Sequence, residues 1–298
     1  MIYNLIISLT PILLSLAIGC LFGKRISENI RYKLVGYITF LVWLLLISIG
    51  YQFGSVLFDK KLGTTILFEA SIYGTIITVI TFVLLLGNKK VEKEKEKKLS
   101  DIIKPIIECL IAIFMVLCGM ILYKILPESI SSGSISSYLL YFLIFLVGID
   151  LSTVKINSLT KNHFKVPLLT IFSLLLAAYI TTFFSQRSFV ELLVLGSGFG
   201  WFSLSGPLVG KILGAEQGSF ALITDLIREF YAIGLLYLLG RKYSNSAIGI
   251  CGATAMDSTL PFIKNNCSNI DVQIAIFSGF ILTILAPFFI IIFSSFIV

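Results

Sequence analysis

The segment AIGICGATAMDSTLPFIK, Ala247 to Lys264, places one carboxylate, Asp257, among small and hydroxyl-bearing residues inside an apolar run. Gly249, Gly252, Thr254, Ser258 and Thr259 make it a poor uninterrupted helix, and Pro261 removes a backbone donor just downstream of the acid. The expectation is a broken intramembrane segment with Asp257 at the break, where freed backbone groups and the hydroxyls of Thr254, Ser258 and Thr259 serve a ligand. A carboxylate that caps the following half-helix is the plainer alternative, and the two roles are compatible.

Working outward, the whole chain is apolar. Hydrophobic residues make up 57% of its 298 positions, and charged residues only 13%. Soluble domains carry charge at about a quarter of positions, so this is an all-α polytopic membrane protein whose surroundings are a lipid bilayer. The net charge of +7 is dispersed over short loops, as orientation in a membrane requires, and nothing points to nucleic acid. The five cysteines show no metal or redox spacing, and the sole histidine, His163, falls in a polar loop. A metal site and a His–Ser hydrolase are therefore not expected, nor is any cofactor.

Apolar runs of about spanning length fall at roughly 2–22, 31–50, 65–86, 105–123, 136–150, 164–184, 219–239 and 272–296. Two further segments, 190–212 and 247–264, carry the glycines, hydroxyls and prolines. About eight transmembrane helices plus two re-entrant broken segments are expected, with ten spans as the alternative. Lys and Arg concentrate in the loops at 24–33, 88–104, 151–165 and 241–242, which puts the N-terminus outside. LLLISIGYQFG (Leu44 to Gly54) aligns with LLYFLIFLVGIDLS (Leu139 to Ser152), Gly50 on Gly148. The single membrane domain therefore reads as inverted three-span units, 1–86 and 104–184, followed by inverted re-entrant-plus-span units, 190–239 and 247–298. The Lys/Glu run from Lys89 to Lys104 joins the first two as a solvated linker.

An ionisable group within the bilayer costs about 2.5–3.5 kcal/mol even on the lenient insertion scale, so each needs a partner, a wet cavity or a job. TDLIREF (Thr224 to Phe230) puts Asp225, Arg228 and Glu229 at i, i+3 and i+4 of a span, as a cation or proton site or an internally satisfied cluster. GSGFGWFSLSGPL (Gly196 to Leu208) offers backbone donors from Gly198 onward, the hydroxyls of Ser203 and Ser205, and Trp201, suited to a ligand carboxylate or to close helix packing. Glu69 and Glu108 lie near span ends and read as snorkelling or capping residues.

These three motifs, GSGFGWFSLSGPL, DLIRE (Asp225 to Glu229) and GICGATAMDSTLP (Gly249 to Pro261), resemble the bacterial lysine exporter family (LysO-type), whose helix plan is similar to that of bile-acid symporters and cation–proton antiporters. The resemblance implies export of L-lysine, or a related basic amino acid, and of the toxic analogue thialysine, by a proton-coupled carrier that uses an acid at the position of Asp257. It also implies a second intramembrane acid from near the second span, where Gln52 and Asp59 stand; Asp150 is the other candidate. A sodium- or proton-coupled importer of a small organic anion is the alternative function. Homo-oligomerisation stays open.

Overall fold

The structure is a computed structural model describing residues 2–87, 100–126, 132–152 and 161–297. The Lys/Glu linker over 88–99 and the side chain of Glu108 lie outside the described residues. Every regular element among those described is helical. The eight apolar runs are α1 (Ile2–Arg25), α2 (Glu28–Gly36) continued at Tyr37 into α3 (Ile38–Gln52), α5 (Lys60–Leu84) after the short α4 (Gly54–Leu57), α6 (Ser100–Ile125), α7 (Ser132–Leu151), α8 (Lys161–Thr181), α11 (Ala215–Leu239) and α14 (Asn269–Ser294). Glu28–Gln52, Lys60–Leu84, His163–Thr181 and Asn269–Ser294 are each long and apolar enough to cross a bilayer. α11 is as long, but Asp225, Arg228 and Glu229 sit along it.

The helices sort by their packing into two groups. α1 lies along α7, α3 lies along α6, and α3 also touches α7. Small residues make these crossings tight. A Cβ on Gly19 would stand 2.1 Å from the Phe145 carbonyl oxygen, and one on Gly119 would stand 2.1 Å from that of Ile47, so Gly19 meets Gly148 and Gly119 meets Gly50. The second group surrounds the two broken segments with α5, α8, α11 and α14.

The first broken segment is α9 (Phe189–Gly196), a turn, and α10 (Phe202–Leu213). Its entry and exit lie together, because Arg187, just before α9, pairs with Glu216 in the first turn of α11 at 3.1 Å. The turn reaches the level of Asp225, about 14 Å along α11 from Glu216 at 1.5 Å per residue. The second segment is α12 (Ser244–Cys251), a 3₁₀ turn (Gly252–Met256) and α13 (Leu260–Asn266). Its exit lies beside its entry as well, with the Cys267 thiol 3.5 Å from the Gly240 carbonyl that it faces at the end of α11. Both segments turn back to the face they came from, one entering where α11 begins and the other where it ends. Their tips meet inside, where the Ala253 N–H donates to the Phe199 carbonyl at 2.9 Å.

Three residues sit otherwise than their sequence context suggests. His163 is within α8, only 2% exposed, edge-on to Phe277 at 5.7 Å. Glu69 does not cap or snorkel: it joins Glu191 and Glu216 around Arg187, tying α5, α9 and α11 together. Burial alone would lower the Arg187 pKa, but the Glu191 charge and the three carboxylate hydrogen bonds hold it above its ordinary value. Asp59, a candidate second acid, is the exposed N-cap of α5, accepting from the Lys61 and Leu62 N–H groups at 2.9 Å. Its carboxylate is committed to those orphan donors at the helix end.

Candidate functional site

Glycine and strained backbone shape the meeting of the tips. Phe199 has φ 51°, the one positive φ outside glycine among the described residues, followed by Gly200 at φ 87°. An L-residue there is strained by about 1–3 kcal/mol, held by its surroundings. A side chain on Gly252 would collide with the Phe199 carbonyl, whose oxygen would be 2.2 Å from the new Cβ. The small residues that make the sequence a poor helix are thus what let two chain reversals touch.

α11 holds both tips, by different residues. Asp225 Oδ1 accepts the Gly200 N–H at 2.8 Å and lies 3.7 Å from Arg228 Nη1. The same Arg228 nitrogen donates to the Gly196 carbonyl at 3.4 Å. Asp225 is 0% and Arg228 1% exposed, so this pair is sealed in the interior. Gly198 makes room for it, since a Cβ there would be 1.9 Å from Asp225 Oδ2. Glu229 is directed elsewhere: its Oε1 accepts the Ser258 hydroxyl at 2.6 Å from the second segment. The i, i+3, i+4 set therefore divides, two residues gripping the first tip and the third gripping the second.

Within the second segment the threonines serve the chain reversal itself. The Thr254 hydroxyl donates to the Cys251 carbonyl at 2.8 Å, and the Thr259 hydroxyl donates to the Thr254 carbonyl at 2.9 Å. The backbone N–H groups of Asp257 and Thr259 converge on that same Thr254 oxygen. Pro261 stands in the first turn of α13, where a missing N–H is harmless. Asp257 and Ser258 are thereby pushed outward and are the exposed residues of the reversal.

They face a cavity of about 460 Å³ between the two helix groups, with α3 and α6 on one wall and α10, α11 and α13 on the other. Trp43, Phe202, Thr39, Glu229, Asp257 and Ser258 line it, among aliphatic residues. The residues that α11 contributes, Leu226, Glu229 and Ile233, run from its middle toward its end, so the cavity occupies the side on which α11 ends. Asp257 also borders a smaller recess with Trp201, Thr254 and Thr283, facing Val147 of α7. At the opposite face the groups are in contact: Lys211 of α10 donates to the Tyr141 hydroxyl of α7, and Phe53 fills a notch between Gly210 and Gly218.

The remaining candidates lie away from the cavity wall. Ser203 and Ser205 are 3% and 0% exposed in the first turn of α10, and the Gly200 N–H, a donor expected for a ligand carboxylate, is bonded to Asp225. Asp150 is half-buried in the last turn of α7 and does not line the cavity. Trp43, Phe202 and Thr39 were not singled out from the sequence, where they are ordinary members of apolar runs; a tryptophan in mid-span was the one available signal. Among the described residues no group of three His, Cys, Asp or Glu side chains is placed to hold a metal.

An all-helical bundle of apolar helices with two re-entrant segments meeting beside an acid-lined cavity defines an all-α polytopic membrane protein. The chain belongs to the family described as lysine exporter LysO, whose model matches residues 113–294, more than half of its length. It is 40% identical over 164 residues to "Lysine exporter LysO" of Escherichia coli K12, an alignment covering 54% of this chain and 55% of that protein. It is 37% identical over 163 residues, 53% of this chain, to a Haemophilus influenzae protein whose description as a lysine exporter is itself provisional, covering 84% of it. The chain thus aligns with only about half the length of its Escherichia coli relative. No solved structure gives a significant match.

Proposed function

We propose that this chain exports L-lysine, and with it thialysine, across the cytoplasmic membrane in exchange for protons. The observation that carries the reading is the cavity between the helix groups, whose charged lining residues, Asp257 and Glu229, are both acidic. Such a wall suits a cationic ligand and disfavours the organic anion of the alternative reading. The relatives named as lysine exporters support lysine as that cation.

Lysine leaving the cell moves a charge against an inside-negative potential, about 2.3 kcal/mol per 100 mV. Exchange for one proton makes the cycle electroneutral. Asp257 takes either the proton or a substrate ammonium, so each displaces the other. The Lys/Arg-rich loops support an orientation with the end of α11 in the cytoplasm and the N-terminus outside. The cavity then faces the cytoplasm, while Phe53 and Lys211 close the outer side. Export requires the two helix groups to move against each other, opening that contact and closing the cavity. The proposed inverted duplication of 1–86 and 104–184 is supported by the exchange of partners, since Gly19 against Gly148 has its counterpart in Gly119 against Gly50. Asp257→Asn is expected to insert normally yet lose lysine efflux from loaded vesicles; unimpaired efflux would overturn the assignment. Thialysine resistance in cells carrying the gene is the accompanying measurement.

A further inference from the structure

Trp43 and Tyr141 occupy matching places in the proposed duplication. Laying Gly50 on Gly148 also lays Thr39 on Ser137 and Trp43 on Tyr141, in each helix a hydroxyl residue followed one turn later by an aromatic. The match extends to packing, since the glycine seven residues beyond each aromatic is one that meets a neighbouring helix, Gly50 against Gly119 and Gly148 against Gly19. The two aromatics nevertheless have different surroundings. Thr39 and Trp43 line the open cavity of about 460 Å³. Tyr141 is covered by an amine: Lys211 Nζ lies 5.0 Å from its ring centroid and donates to its hydroxyl. Phe53, in the notch between Gly210 and Gly218, holds α10 against the first helix group at the residue before Lys211.

The structure therefore shows a lysyl side chain seated on Tyr141, its ammonium placed over the ring and at the hydroxyl as that of a free ligand would be. α7 and α10 belong to different helix groups, so the movement that closes the cavity and opens the opposite face also draws Lys211 off Tyr141. We infer that Ser137 and Tyr141 form a second ammonium site on the face opposite the cavity, occupied here by Lys211 and open to a ligand when the helix groups exchange contacts. Because Lys211 is tethered, it meets Tyr141 at an effective concentration on the order of millimolar and displaces a ligand that has arrived there. The tethered amine thus favours release to that face over uptake from it. This rests on the proposed duplication, and on the export reading only for lysine as the ligand and for which face is outer.

The test uses right-side-out membrane vesicles loaded with radiolabelled L-lysine and reads the external lysine concentration that gives half-maximal exchange. Lys211→Met removes the tethered amine and is expected to lower that concentration about tenfold, the range of one cation–π contact. Adding Tyr141→Leu is expected to erase the gain. An external half-saturation in Lys211→Met equal to that of wild type, or a gain that survives Tyr141→Leu, overturns the inference. Should the double variant fail to fold, Lys211→Cys decides: 2-aminoethyl methanethiosulfonate rebuilds an ammonium there and is expected to restore the wild-type value, methyl methanethiosulfonate is not, and equal effects of the two reagents overturn the inference. Wild-type vesicles without lysine exchange would sink the export reading instead. Titration of the purified full chain with butylammonium then tests the site by itself, where binding about tenfold tighter in Lys211→Met than in wild type supports it and equal binding overturns it.

Discussion

Replacing Asp225 by Asn keeps an acceptor for the Gly200 N–H, which now sits 2.8 Å from Oδ1, and removes only the charge. The guanidinium of Arg228, 3.7 Å away and 1% exposed, is then left in the interior without its counter-ion. Breaking one side of a buried pair costs about 3–5 kcal/mol, whereas replacing both sides by groups of similar volume is close to neutral. Asp225→Asn and Arg228→Met should therefore each be strongly destabilising, and the double variant should recover most of the loss. At about 2–4 °C per kcal/mol for a chain of this size class, each single variant melts roughly 6–20 °C below wild type. The assay is thermal unfolding of the detergent-solubilised protein for all four members of the cycle, with lysine efflux measured in parallel. Single variants melting within about 2 °C of wild type would refute the argument, as would a double variant as unstable as the sum of the two. Efflux is expected to return with stability in the double variant. A double variant that is stable and inert would show that Asp225 or Arg228 acts in transport itself.

Gly148→Leu drives a side chain into backbone, since even its Cβ would be 2.5 Å from the Leu16 carbonyl oxygen and 3.0 Å from the Cys20 nitrogen; the expected result is separation of α1 from α7 and a fall in melting temperature, checked by the same unfolding assay, and a wild-type melt would refute it. Asp59→Ala removes an N-cap and should lower stability by about 0.5–2 kcal/mol while leaving lysine efflux per folded molecule unchanged. A loss of efflux at unchanged folding would restore Asp59 as a candidate transport acid.

Several features are legible in the sequence because they follow from local chemistry. Long apolar runs must be helices where no water can satisfy the backbone, so the eight spans needed only hydropathy. Glycines, hydroxyls and Pro261 clustered in an apolar run mark a break, and an acid at that break, Asp257, marks where the break faces something polar. The spacing of Asp225, Arg228 and Glu229 was equally readable, but spacing fixes only the side of a helix. What each side chain meets there depends on neighbours far along the chain. Gly198 leaves space that Asp225 fills, and Ser258, brought back by the second reversal, claims Glu229.

Which acids share the cavity with Asp257 is not a local property of the sequence. Asp59 stands near the second span in sequence, yet it lies at a helix end, where unpaired N–H groups take its carboxylate. Glu229, 28 residues before Asp257 in number, shares its cavity because α11 and the second segment run side by side. The sequence by itself determined that this is a helical membrane protein with two broken segments and an acid at the break of one. Only the tertiary structure decided that both segments turn back, that their tips meet, and that Glu229 and Trp43 join Asp257 around one cavity. The physical reason is that hydropathy and backbone propensity are properties of short stretches, whereas a cavity is the gap left when two separately packed groups of helices come together.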